Sequence, residues 1–135
     1  MRILALDYGD ARIGCAVSDP TGTLVRPAEV IEPPDAVAVR DLARREGAEL
    51  IVVGLPLHLG GGEGDQARRT REFCERLRGH VDVPVETYDE RLTTRMAAGT
   101  RRAGARAAED SLAAAHLLEG YLAAKGGKKG DGHGD

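Results

Sequence analysis

Ile3-Leu4-Ala5-Leu6-Asp7-Tyr8-Gly9-Asp10 decides the reading of this chain. Four apolar residues run without a break, which suits a strand covered on both faces. The run ends on a carboxylate at Asp7, and a glycine follows two positions later. Glycine at position 9 leaves out a side chain that would crowd anything approaching Asp7. The segment Arg12-Ile13-Gly14-Cys15-Ala16-Val17-Ser18-Asp19 predicts a second strand, close enough for a hairpin with the first. An acid on a rigid strand end, beside a glycine-opened turn, is placed to hold a metal or meet a phosphate. It is equally placed to cap the turn, which Asp favours for local hydrogen-bonding reasons.

The chain has 135 residues, enough for one domain with its own core. Apolar residues make up 41% and charged residues 30%, as in soluble globular proteins. Aromatics are only 3% and Trp is absent, so the core must be built from Leu, Val, Ile and Ala. Base-stacking platforms of the kind single-strand binders use are therefore not expected. The net charge of −3 gives no global attraction to a polyanion, so a nucleic-acid partner needs a local basic patch. Cys15 falls in an apolar strand and Cys74 in a helical stretch, and both read as reduced core thiols. The sequence shows neither a charged-then-apolar leader pattern nor a run of membrane-spanning length. A cytoplasmic protein without a membrane partner is expected.

Outward from the opening stretch, Pro20-Thr21-Gly22 predicts a turn and Thr23 to Ile31 a third strand, with Pro27 suiting an edge position. Asp35 caps a predicted helix whose Val37, Val39, Leu42 and Ala43 share one face, and Gly47 stops it. Leu50-Ile51-Val52-Val53-Gly54 is a further apolar strand, so the passage is a parallel crossover. After a loop with glycines at 60, 61, 62 and 64, Asp65 opens a helix carrying Ala67, Phe73, Cys74 and Leu77. Val83 to Tyr88 predicts the last strand, leading into Asp89-Glu90-Arg91. Helices are expected over residues 95–103 and from about Ala107 to Ala124, then a disordered polar tail over 126–135. The fold class is α/β: a five-stranded mixed sheet, three strands antiparallel and two parallel, with helices on both faces. Residues 1–125 form its single domain.

Three acidic places stand out: Asp7, the pair Asp89-Glu90, and Asp110. The first two follow strands, at the sheet edge where open α/β sheets bind ligands. Asp110 precedes Ala114, Leu117, Leu118 and Tyr121 at helical spacing, on or beside the stripe that faces the sheet. An acid there is costly unless compensated, and a divalent cation shared with Asp7 would compensate it. Alternatively, Asp110 simply favours the positive end of its helix.

Leu6-Asp7-Tyr8-Gly9 through Arg12 to Asp19, Val53-Gly54-Leu55-Pro56-Leu57, Asp89-Glu90-Arg91-Leu92-Thr93-Thr94 and Asp110-Ser111-Leu112-Ala113-Ala114 together resemble the YqgF/RuvX family. The resemblance covers nearly the whole chain except the tail. It implies an RNase H-like fold related to Holliday junction resolvases of the RuvC type. It also implies a metal-dependent nuclease, assigned in the family to maturation of the 16S rRNA 5′ end or to cutting branched DNA. Carried over by position, the catalytic acids are Asp7, Glu90 and Asp110, with Asp89 beside them as a further metal ligand. Mg²⁺ or Mn²⁺ is the implied cofactor, since clustered carboxylates hold such ions for phosphodiester hydrolysis. A homodimer is the assembly that symmetric junction cutting would want, although no dimer seam is legible. Three places depart from the pattern, and the segment before Asp110 is also less basic than in many relatives. Gly54-Leu55-Pro56 stands where RNase H-like nucleases commonly carry an acid, Asp10 and Ala11 where the family usually has Thr and Lys, and His58 where it usually has Asn.

Arg91, Arg95, Arg101, Arg102 and Arg106 lie in a stretch without an acid, joining two of the acidic motifs. They read as a phosphate-neutralising patch or as a solvated helix face. In the glycine-rich loop, Glu63 is a further candidate for the metal and His58 for a general base; a merely mobile surface loop is equally consistent. A nucleotide-binding module and a non-catalytic RNA- or ribosome-binding protein are the competing readings on the same fold. Arg101→Ala combined with Arg102→Ala is expected to weaken binding of structured RNA or branched DNA and to flatten its salt dependence. A salt slope equal to wild type would remove the patch.

Overall fold

The computed structural model describes residues 1–55, 64–89 and 112–124. Its elements in chain order are β1 (Ile3–Tyr8), β2 (Ile13–Ser18), β3 (Val25–Ile31), α1 (Ala36–Glu46), β4 (Leu50–Leu55), α2 (Asp65–Arg78) and β5 (Val85–Asp89). Helical backbone over residues 112–124 follows and is labelled α3. The strands form one sheet in the order β3-β2-β1-β4-β5. Short turns make β1–β2 and β2–β3 antiparallel, whereas crossovers make β1–β4 and β4–β5 parallel. The expected mixed five-stranded sheet is therefore present, and β3, which carries Pro27, lies at its edge.

Alternation along β1 explains why its apolar run is unbroken. Leu4 and Leu6 pack into a cluster with Val39 and Leu42 of α1 and Phe73 and Leu77 of α2. Ile3 and Ala5 pack on the opposite face with Ala114, Leu117, Leu118 and Tyr121 of α3. Facing alanines (Ala5 and Ala16 of the sheet, Ala114 and Ala115 of the helix) let α3 approach closely. Both cysteines are buried free thiols, as expected.

The Asp35 carboxylate accepts the Val37 N–H at 3.2 Å, and Gly47, at φ 70°, closes α1 with its N–H on the Ala43 and Arg44 carbonyls. One expectation fails on α1. Val37 is 36% exposed, and Ala36 takes the inward place beside Val39, Leu42 and Ala43. Positions two apart on a helix are separated by about 200°, so Val37 and Val39 cannot share a face. On α2, Thr70 joins the buried stripe because its hydroxyl donates to the Gln66 carbonyl at 2.8 Å. Phe73, the largest fully buried side chain, stacks on Tyr8 with ring centroids 4.8 Å apart.

No helix among the described residues is long and apolar enough to cross a membrane. The expected helix over 95–103 and the tail over 126–135 lie outside the described residues.

Phe73→Ala is expected to lower unfolding stability by about 3–5 kcal/mol, through lost burial and an unfilled cavity. Val37→Ala should change it by less than about 0.5 kcal/mol. Urea unfolding of the two variants side by side checks both values.

Candidate active site at the C-terminal edge of the sheet

Asp7 is the next-to-last residue of β1 and pairs directly with Gly14 of β2. On its other side, Leu6 pairs with Val53, so one step further along the strand sets Asp7 level with Gly54, which pairs with Tyr88. The row across four strands therefore reads Gly14, Asp7, Gly54, Tyr88. Asp7 shares the alternation of Ile3 and Ala5 and so belongs to the face covered by α3. A half-buried carboxylate thus stands between two residues without side chains, at the strand end.

The glycine at position 9 does something other than expected. Its N–H donates to the Arg12 carbonyl at 3.0 Å, and a Cβ there would come within 3.0 Å of that same oxygen. Gly9 closes the β1–β2 turn; the open space beside Asp7 comes from Gly14 and Gly54. Gly14 was findable from the sequence, because counting outward from the hairpin turn pairs it with Asp7.

Tyrosines hold α3 beside this row. The Tyr88 hydroxyl donates to the Gly120 carbonyl at 3.1 Å, and its ring meets Tyr121 edge-on at 5.6 Å. The Tyr121 hydroxyl donates to Glu86 Oε1 at 2.8 Å. On the other face, α2 grips the turn beyond Asp7. Gln66 Nε2 donates to the Tyr8 carbonyl at 3.3 Å, and Arg69 spans both oxygens of Asp10, each at 3.0 Å. Nothing in the local sequence signals the Arg69–Asp10 pair, because its members are 59 positions apart.

Asp89 ends β5, opposite Leu55. Its alternation matches Val85, which packs with α1 and α2. Asp7 and Asp89 thus share the sheet edge but belong to opposite faces. Glu90, Asp110, Glu63, His58 and the five arginines Arg91, Arg95, Arg101, Arg102 and Arg106 lie outside the described residues. Among the described residues, no three His, Cys, Asp or Glu side chains converge as a metal site would require.

A mixed sheet in this order, covered by helices on both faces and bearing an acid at the end of its central strand, is the RNase H-like arrangement. Its C-terminal strand edge is where open α/β sheets commonly bind ligands. The chain belongs to the RuvX family: the family profile, described as Holliday junction resolvase, matches residues 1–124. A relative from Rubrobacter xylanophilus, which bears the name "Putative pre-16S rRNA nuclease", is 46% identical over 132 residues, covering 93% of this chain and 95% of its own. A relative of the same name from Symbiobacterium thermophilum is 42% identical over 135 residues, covering 93% and 94%. In fold, the chain is similar to T. thermophilus RuvC solved in complex with a Holliday junction substrate. The TM-score is 0.61 at 16% identity, over 93% of this chain and 96% of that one.

Burial pushes the Cys15 thiol up to about 12, with the Glu29 and Asp7 carboxylates adding to the effect. Burial, then the Glu86 hydrogen bond, pushes Tyr121 up to about 12 as well. Below pH 9 both groups stay protonated in the folded and unfolded chain, so their stabilisation is fully present. As pH rises from 9 toward 12 the unfolded chain loses these protons first, and stability falls. The urea midpoint is expected to drop across that window, and Cys15→Ala with Tyr121→Phe should reduce the drop. An equally steep decline in the double variant would contradict this.

Proposed function

We propose that the chain is a nuclease that hydrolyses phosphodiester bonds in structured nucleic acid, at the 5′ end of pre-16S rRNA, in Holliday junctions, or in both. The observation that carries this reading is Asp7, flanked by Gly14 and Gly54 at the end of β1 on the face covered by α3. Family membership supports the same reading.

The donor set fits a hard divalent cation, Mg²⁺ or Mn²⁺. Carboxylate oxygens are what such ions take. The one nearby thiol, Cys15, packs in the cluster on the opposite face. Asp7, Glu90 and Asp110 would hold the ion, with Asp89 beside them. The last turn of α3 lies with Met1, Ile3 and Leu50 at the beginning of β1 and β4. The helix therefore descends from Asp7's edge, and Asp110 precedes its described start by two positions. Bound there, the cation supplies an activated water and stabilises the leaving oxygen.

Asp7 contributes a fixed, half-buried oxygen pair, and the two glycines leave room for a phosphodiester to come near. The arginines at 91, 95, 101, 102 and 106 neutralise flanking phosphates. Residues 1–125 act as one nuclease domain, with 126–135 a polar tail. Such substrates place the enzyme in the cytoplasm, and symmetric junction cutting calls for a homodimer.

Purified protein with Mg²⁺ or Mn²⁺, offered precursor rRNA ends and four-way junctions side by side, is expected to cleave at least one of them. Asp7→Asn and Asp110→Asn are each expected to reduce cleavage to background, as is chelation of the metal. Cleavage that survives Asp7→Asn would defeat the proposal, and metal-independent binding without cleavage would leave a scaffold.

A further inference from the structure

We propose that Arg69 contacts a phosphate of the bound nucleic-acid strand and that Asp10 aims it there; this rests on the nuclease reading. Arg69 Nε donates to Asp10 Oδ1 and Nη2 to Oδ2, both at 3.0 Å. This two-point fork fixes the guanidinium plane. Nη2 also meets Gln66 Oε1 at 3.4 Å, whereas Nη1 has no partner among the described residues. The Arg69 side chain is 46% exposed, so these donors face solvent.

Its neighbours on α2 are engaged differently. Arg68 pairs with Asp65 within the helix, Arg78 pairs with Glu75 and also donates to the Val85 carbonyl of β5 at 2.8 Å, and Arg76 covers the Phe73 ring. Arg69 instead reaches the β1–β2 turn. An exposed pair of this kind adds little to stability, so a fixed orientation is its more consequential effect.

Asp10 follows Asp7 by three residues, at most about 10 Å of backbone. One strand of a duplex presents a phosphate about every 3.4 Å of rise, so Arg69 reaches one within about three nucleotides of the scissile bond. Without Arg69, Asp10 would meet the approaching backbone as a bare negative charge. Arg69 thus both cancels that charge and offers Nη1 to the strand.

The two effects separate in a cycle of variants. In the Asp7→Asn background, without divalent metal, four-way junction and structured RNA binding is followed by fluorescence anisotropy from 50 to 200 mM salt. Arg69→Gln is expected to weaken binding about tenfold and to lower the salt slope by about 0.9, the value for one phosphate contact. Asp10→Asn with Arg69→Gln is expected to keep that loss of slope. A double variant restored to the parent's affinity and slope would show that Arg69 only neutralises Asp10, and would overturn the inference. Arg69→Lys, which keeps the charge, should keep the slope; loss of the slope in this variant would overturn the inference. A parent protein that binds neither nucleic acid defeats the nuclease reading itself, whereas binding insensitive to Arg69 defeats only this inference.

Discussion

The fold depends on burying β1 on both faces while leaving a charge at its end. A strand covered from both sides must be apolar at every position, and Ile3 to Leu6 satisfies that. α1 and α2 cover one face and α3 the other, so each of these helices owes its position to this strand. The first polar residue along it is Asp7, half-buried where the cover gives out. A carboxylate so placed has limited water and a rigid backbone. Those are the conditions under which a carboxylate must be compensated by a partner.

The neighbours of β1 then decide what can approach. Gly14 and Gly54 flank Asp7 in register, so the row has a gap where two side chains would stand. Tyr88 ends the row and ties β5 to the Gly120 carbonyl of α3. The turn beyond Asp7 is tied to the other layer by Gln66, Arg69 and the Tyr8–Phe73 stack. Asp7 is therefore held by its own strand, and the chain on either side of it is held by a helix from each layer. Preorganisation of this kind is what positions a group to within the tolerance that catalysis needs.

Much of this was legible because it follows from period and punctuation. The apolar runs at 3–6 and 50–53, the short turns between early strands and Pro27 at an edge together lead to the sheet. Helical spacing from Ala114 to Tyr121 identified the face of α3 that packs. Val37 was misread because apolar identity was weighed ahead of the helical angle, and a valine at a solvent-facing position keeps its composition signal. Gly9 was assigned to ligand access because its hydrogen bond across the turn to Arg12 is a three-dimensional fact. The opposite facing of Asp7 and Asp89 needed the β4–β5 register, which motif order alone does not supply. The Arg69–Asp10 pair needed the packing of α2 against a turn far away in sequence.

The charge balance was the sequence feature most open to misreading. A net charge of −3 argues against nucleic acid only if charges are spread evenly. They are not. On the outer surface, Arg26 pairs with Glu46, Arg45 with Glu29, Arg68 with Asp65 and Arg78 with Glu75. Paired charges cancel beyond about a Debye length, roughly 8–10 Å at physiological salt. What a long polyanion senses is therefore the remainder near its path. Arg69 offsets Asp10 at the turn beyond Asp7, and in the sequence the stretch from Arg91 to Arg106 carries arginines and no acid. Local sign, rather than total charge, is what an approaching phosphodiester meets, and on the proposed function a cation held at Asp7 would reverse that sign where repulsion would otherwise be greatest.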